Sequence, residues 1–384
     1  MESTSLLEDI TAHLNANVFT RAFSFSSAQL PVLGTTRPHL AERLVLLDGM
    51  GFIYQLSEHG THGGKKPPDF KKWFADDVLR KGVKQIGRTR DLLRAYISVS
   101  LVNARGHRVM VPMTAVDDLV ALIVYRASSK ASGFTPARFS ETRAGFVHIM
   151  RDTDYFGICE YLVTPSELTG YLGFRQEVLS RPDPVAPGVS ETALLGQYLF
   201  DELDERPHPR YEAAARSFSG DPGAFAFAYV IENLGTQMGK RDEESVEAIY
   251  HRILVELARL GRTELRELKA QLRCCLDAVR TDKFELPYRL CSARTQCAFL
   301  ILPGSVEFRL RAREALESLA TACKHELQIE KQVSIAMWRS GEIIDIDWLY
   351  TEGEPGPDEE IDKRLAKAYP FRKSSQKRLP EYYL

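Results

Sequence analysis

Apolar positions in the first half of the chain recur at two spacings, one of helices and one of strands. Leu6, Leu7, Ile10 and Leu14 fall three and four residues apart, which predicts an amphipathic helix over residues 5–16. After Phe19, Phe23 and Phe25 comes a loop marked by Pro31, Gly34 and Pro38. Two apolar runs, Leu44–Leu47 and Gly51–Leu56, then flank Asp48-Gly49, which predicts a β-hairpin closed by a tight turn. The glycine- and proline-rich stretch from His59 to Asp69 reads as an exposed loop ending at a helix start. From Phe70 to Leu93, the residues Phe74, Val78, Leu79, Val83, Ile86 and Leu93 share one helical face. Lys71, Lys72, Arg80, Lys81, Lys84 and Arg88 make that helix basic. Strands are expected at 96–102, 108–112, 119–125 and 145–150, and a helix at 166–179. Strands, then a helix, then strands make a mixed α/β (α+β) layer rather than a regular βαβ alternation.

Three prolines in Arg181–Gly188 cannot continue a helix or an inner strand, so the domain boundary is expected at 181–190. This gives an N-terminal domain at 1–180, a mostly helical region at 191–290, a small α+β subdomain at 291–352 and a charged tail at 353–384. The subdomain reads strand (297–302), helix (305–327) and a hairpin (332–338, 342–350) turning at Arg339-Ser340-Gly341.

Composition narrows the function classes. The 384 residues are 44% hydrophobic and 27% charged, and no apolar run approaches the roughly 18–20 residues of a membrane span. No membrane association is expected, and the start MESTSLLEDITAHL lacks the pattern of a signal peptide, so a cytoplasmic location is expected. A net charge of −2 argues against coating nucleic acid by bulk electrostatics, while leaving room for a local basic patch. The six cysteines form no CxxC pair and read as reduced structural thiols. Neither a nucleotide-binding glycine pattern nor a GxSxG elbow is present.

The run from His39 to Ser57, HLAERLVLLDGMGFIYQLS, resembles the hairpin of a bacterial family related to PD-(D/E)xK and NERD-type nucleases, which share a restriction-endonuclease-like core. That pattern is an acid, a buried strand, then (D/E/Q)-x-K. The resemblance continues through Lys72-Trp73-Phe74, Val83–Ile86, Asn103–His107, Gly145–His148 and Leu162–Ser166, covering roughly residues 15–180. It implies Glu42 and Gln55 as Mg²⁺ ligands, and it leaves Ser57 where such nucleases keep a catalytic lysine. Hard oxygen ligands beside a cation suit phosphodiester cleavage, because Mg²⁺ prefers oxygen and the transition state is anionic. A serine hydroxyl supplies no positive charge; Lys65, Lys66, Lys71 or Lys84 are the candidates to supply it from neighbouring elements. Gln85 is a candidate to line the site, and Lys65, Lys66, Lys71 and Lys72 to contact nucleic acid.

Each of these residues has a plainer reading. Glu42 is equally a solvated residue before a strand, and Asp48 is most simply the turn residue, with metal binding as the alternative. The helix cations are equally a solvated face. His59 and His62 on a flexible loop are weak metal candidates. Two functions follow: a metal-dependent nuclease-like protein acting on DNA or RNA, for example in bacterial defence, or the same scaffold without chemistry, binding nucleic acid or a partner protein. Homo-oligomerisation through the helical second half is a third expectation.

Overall fold

In the computed structural model, which describes residues 5–31, 39–47, 49–60, 69–113, 116–127, 134–143, 145–182, 185–186, 188–200, 206–217, 230–233, 244–283, 285–356 and 358–372, the chain is mixed α+β. It divides into two compact units, Met1–Ser219 and Gly220–Leu384.

The first apolar periodicity forms α1 (Leu6–Ala16), which opens on a capping box. Ser5 Oγ accepts from the Glu8 N–H, and the Glu8 carboxylate accepts from the Ser5 N–H. A single turn, α2 (Thr20–Phe23), leads into a short strand, β1 (Ser24–Ser26), that the sequence pattern does not reveal. The predicted hairpin is β2 (Arg43–Leu47) and β3 (Met50–Glu58), with Leu44 opposite Ile53 and Gly49 at φ +73° in the turn. Asp48 lies outside the described residues.

The predicted helix over 70–93 is built in three pieces. A turn, α3 (Phe70–Trp73), capped by Asp69, is followed by a π-helical stretch, Phe74–Lys81, and then by α4 (Gly82–Arg94). Next come β4 (Ser98–Val102) and β5 (Arg108–Pro112), which pair only with each other, and β6 (Val120–Arg126). The strands β7 (Phe139–Thr142) and β8 (Gly145–Arg151) complete a six-stranded sheet of order β1-β2-β3-β6-β8-β7. Strands β1, β2 and β3 form an antiparallel meander, while β3, β6 and β8 run parallel. In chain order this is helix, three-stranded meander, crossover helix and parallel strand.

Both faces of the sheet are covered, because its central strands are apolar at successive positions and not only at alternate ones. On one face Leu44, Leu46, Ile53, Ala121, Ile123, Val147 and Ile149 share a core with Phe74, Val78, Ile86 and Leu93. On the other, Phe52, Tyr54, Leu122 and Val124 are buried beneath α1, α5 (Asp152–Cys159) and α6 (Pro165–Leu179).

The boundary expected at 181–190 instead lies inside the first unit. Helix α7 (Glu191–Leu199) is tied back by its first residue, because the Glu191 carboxylate takes hydrogen bonds from Arg175, Arg138 and Tyr171. Helix α8 (Tyr211–Ser217) then packs on α7 at Gly196, where a side chain would collide with the Tyr211 carbonyl.

The second unit includes helices α9 (Glu244–Ala258) and α10 (Arg262–Arg280). Its four-stranded sheet has the order β12-β11-β10-β9. Strand β9 (Tyr288–Ser292) pairs antiparallel with β10 (Cys297–Gly304), and α11 (Ala312–Leu327) crosses over to β11 (Lys331–Ser340), parallel to β10. The expected hairpin returns as β12 (Ile343–Glu352), turning through Gly341 at φ +65°. Cys297 and Cys323 are core residues here, and α12 (Glu359–Lys367) lies in the stretch read as a charged tail. No helix of the described residues is long and apolar enough to cross a membrane.

Candidate functional site

The residue before β2 and the middle of β3 meet on the α4 face of the sheet. Glu42 continues the β2 ladder, its N–H donating to the Tyr54 carbonyl at 3.0 Å. Its side chain shares the face of Leu44 and Leu46, and Gln55 shares the face of Ile53. The two side chains are in contact: Gln55 Nε2 donates to Glu42 Oε1 at 3.0 Å, and the Leu56 N–H donates to Glu42 Oε2 at 2.9 Å. Burial raises the Glu42 carboxyl above the usual carboxylate range, and the bonds from Leu56 N–H and Gln55 only partly offset it.

Gln55 is 3% exposed. Its Nε2 also donates to the Leu56 carbonyl at 3.0 Å, while its Oε1 is buried and accepts no hydrogen bond among the described residues. A buried acceptor without a donor is costly, and such atoms mark sites that take a ligand or water. The centre therefore offers two kinds of hard oxygen, the remaining lone pairs of one carboxylate and an orphaned amide oxygen. This donor set fits Mg²⁺ or Mn²⁺, which retain several waters and need few protein ligands. Half a turn of the Gln55 amide exchanges its donor for its acceptor beside the carboxylate. The described residues contain no group of three or more His, Cys, Asp or Glu placed to hold a metal.

Ser57 follows Gln55 on the same face, half-buried at the end of β3 and in register with Tyr125 of β6. Tyr125 is packed against Trp73 and Phe74, and burial pushes its hydroxyl up to about 12. Ser57 thus has an aromatic residue as its neighbour on β6. His59, just past β3 at the start of the expected loop, is buried instead of exposed, its ring edge-on to Phe70 and tilted against Trp73. His62 lies outside the described residues.

Helix α4 holds the hairpin's entry in place. Gln85 Nε2 donates to the Leu40 carbonyl at 3.4 Å, and the fully buried Thr89 hydroxyl accepts from the Ala41 N–H at 2.9 Å. Thr89 Oγ1 in turn donates to the Gln85 carbonyl at 2.9 Å. Gln85 and Thr89 thus both touch the segment that leads into Glu42. At Gly82 the helix comes so close that a Cβ would stand 2.9 Å from Ile123 Cδ1 and 3.4 Å from Gln55 Cγ. Lys84, Lys71 and Lys72 are solvent-exposed, and none forms an ion pair among the described residues. Lys65 and Lys66 lie outside the described residues.

Thr89 and Gly82 are supports that sequence reasoning did not pick out. A threonine and a glycine inside an otherwise regular helix, spaced to face the sheet, are the available signal. A second cluster was also missed. Arg175 is fully buried, donating from Nε to Glu191 Oε1 at 2.5 Å, and to the Ile149 and Arg138 carbonyls at 3.1 Å each. His148 Nδ1 stands 3.1 Å from Arg175, and burial together with that guanidinium lowers its pKa well below the ordinary histidine value. At the ends of β3 and β6, Arg126 bonds Asp9 and Asp152 at 2.6 Å each.

Comparison with known proteins finds no match to the chain among family models, curated proteins or solved structures.

Proposed function

We propose that the first unit is a nuclease-like domain acting on nucleic acid, with Glu42 and Gln55 as the ligands of a divalent cation, Mg²⁺ by chemistry. The observation that carries this reading is the 3.0 Å contact between two side chains thirteen residues apart, one of them with an orphaned buried oxygen. The meander, crossover helix and parallel strand around them support the likeness to a restriction-endonuclease-like core. When bound, the cation would supply Lewis-acid activation of a phosphodiester. The chain's own residues would orient it: Leu56 N–H fixes one carboxylate oxygen, and Gln85 and Thr89 fix the backbone that carries it.

A second reading keeps the scaffold and removes the chemistry, leaving a module that binds nucleic acid or a partner protein. Ser57 favours it, since the hydroxyl carries no charge and the residue in register with it on β6 is the aromatic Tyr125. Calorimetric titration of Mn²⁺ into wild-type and Glu42→Ala protein, with parallel incubation on single- and double-stranded DNA and RNA, separates the two. Uptake and cleavage that both vanish in Glu42→Ala support the enzyme. Nucleic-acid binding with neither uptake nor cleavage supports the scaffold.

A further inference from the structure

In the second unit, helix α12 packs on α11 as a strap held between two fixed points. Before it, the Gly353 N–H donates to the Glu330 carbonyl at 3.1 Å; after it, Phe371 is buried with Cys323 and Leu300. Between those points the hold is slight. No α12 residue is buried, and a groove of about 440 Å³ opens between the two helices, lined by Leu319 and Ala322 of α11 and Ile361 and Leu365 of α12. The ion pairs Glu359–Lys363 and Glu360–Arg364 and the Asp358 cap are internal to the strap.

Among the described residues, the polar ties between this strap and α11 come from one side chain. His325, in the last turn of α11, has Nε2 2.8 Å from Asp362 Oδ1 and Nδ1 3.2 Å from the Gly356 carbonyl. Its side chain is 10% exposed. A carbonyl and a carboxylate both accept, so both ring nitrogens must donate. A neutral imidazole has one N–H, and only the imidazolium makes both bonds. The Asp362 carboxylate holds the ring's pKa above the usual histidine value of 6.5 against partial desolvation, helped by the Gly356 carbonyl and the Asp358 charge. The flanking charges of α11 are engaged elsewhere: Glu326 accepts from Arg289 and Tyr369, and Lys324 interacts with Glu352 and Glu330. The C-terminal end of a helix also favours a cation.

We propose that His325 is a proton-operated latch: the imidazolium clips the α12 strap onto α11, and loss of its proton releases the strap and uncovers the Leu319–Ala322 flank. The paired acceptors at 2.8 and 3.2 Å carry the proposal, because they are satisfied together in one protonation state alone. The latched ring has the raised pKa, so the tie is complete below 6.5 and is lost as the pH rises through the latched value. The device lies wholly in the second unit and stands independently of the Glu42–Gln55 centre.

The test is amide hydrogen exchange of the full chain from about pH 5.5 to about pH 8.5, each rate being divided by the intrinsic rate at that pH. Protection of α12 peptides is expected to fall about three- to tenfold as the pH rises, while peptides of α10 keep theirs. His325→Gln carries no charge at any pH, so its α12 protection is expected to sit at the alkaline wild-type level throughout. Asp362→Asn removes the charge that raises the ring's pKa and is expected to move the midpoint to lower pH. Wild-type α12 protection that does not change with pH, or that changes equally in His325→Gln, overturns the latch. An unchanged midpoint in Asp362→Asn does so too, as does a parallel loss in α10, which shows the unit opening as a whole.

Discussion

Replacing Glu191 by Gln tests how strongly α7 is fastened to the first unit. The carboxylate sits between Arg175 Nε at 2.5 Å, Tyr171 OH at 2.5 Å and Arg138 at 2.8 Å, and Arg175 has no solvent exposure at all. Burial alone would raise its pKa, but the Arg175 and Arg138 charges prevail and lower it from 4.5 to about 2. At about 1.4 kcal/mol per unit, that depression corresponds to about 3 kcal/mol of stability at neutral pH. Because the folded pKa is the lower one, this contribution is complete above the unfolded value of 4.5 and is lost as the pH falls towards about 2. Glu191→Gln leaves a buried guanidinium without its counter-charge, which costs about 3–5 kcal/mol. Amide hydrogen exchange in peptides of β8 and α6 reads this locally, without requiring the two units to unfold together. Exchange there is expected to speed up about 10²- to 10⁴-fold at neutral pH. The gap between variant and wild type should close as the pH approaches about 2. Exchange within a factor of about ten of wild type at neutral pH would refute the claim that this ion cluster fastens α7.

Thr89→Val removes the acceptor for the buried Ala41 N–H, at an expected cost of about 1–3 kcal/mol in urea unfolding followed at Trp73; Thr89→Ser restores the bond, and Mn²⁺ affinity should fall and recover in parallel. Because burial raises the Glu42 carboxyl, protonation competes with cation uptake at higher pH than for an ordinary carboxylate; Mn²⁺ titrations at descending pH should lose affinity above the usual carboxylate range, and an onset at or below it would contradict this. Gly196→Ala pushes a methyl into the Tyr211 carbonyl and should cost at least about 3 kcal/mol, read as loss of protection from limited proteolysis at α8.

The hairpin and the Glu42–Gln55 pair were legible because both depend on local rules. An Asp-Gly pair between apolar runs sets the turn, and strand alternation then sends residues 42, 53 and 55 to one face. Elements that depend on distant partners were not legible. The strand β1, three residues long, exists only through its pairing with β2, and β7 only through β8. The proline-rich 181–190 segment has the composition of a linker, yet one carboxylate beyond it is bound by residues sixteen and fifty-three positions earlier. Composition reports how a segment behaves alone and is silent about a buried partner.

Gln55, the uncharged choice among (D/E/Q), and Ser57, in the lysine's place of the pattern the sequence resembles, belong together electrostatically. An acid and a lysine beside Glu42 would sum to one negative charge at the centre; a glutamine and a serine leave the same sum. Introducing either charge alone breaks this balance. Gln55→Glu places a second carboxylate, 97% buried by position, where the amide now lies 3.0 Å from Glu42, so one of the two must hold a proton at neutral pH. The cost is about 3 kcal/mol, equivalent to a shift of about two pKa units. Ser57→Lys alone, at a half-exposed position, should change stability by less than about 1 kcal/mol. In Gln55→Glu/Ser57→Lys the ammonium offsets the second carboxylate, and a double-mutant cycle in urea should return a favourable coupling of about 1–3 kcal/mol. The same double variant should take up Mg²⁺ more tightly than wild type, because two carboxylates then face the cation. A coupling below about 0.5 kcal/mol would mean that position 57 does not face the Glu42–Gln55 centre.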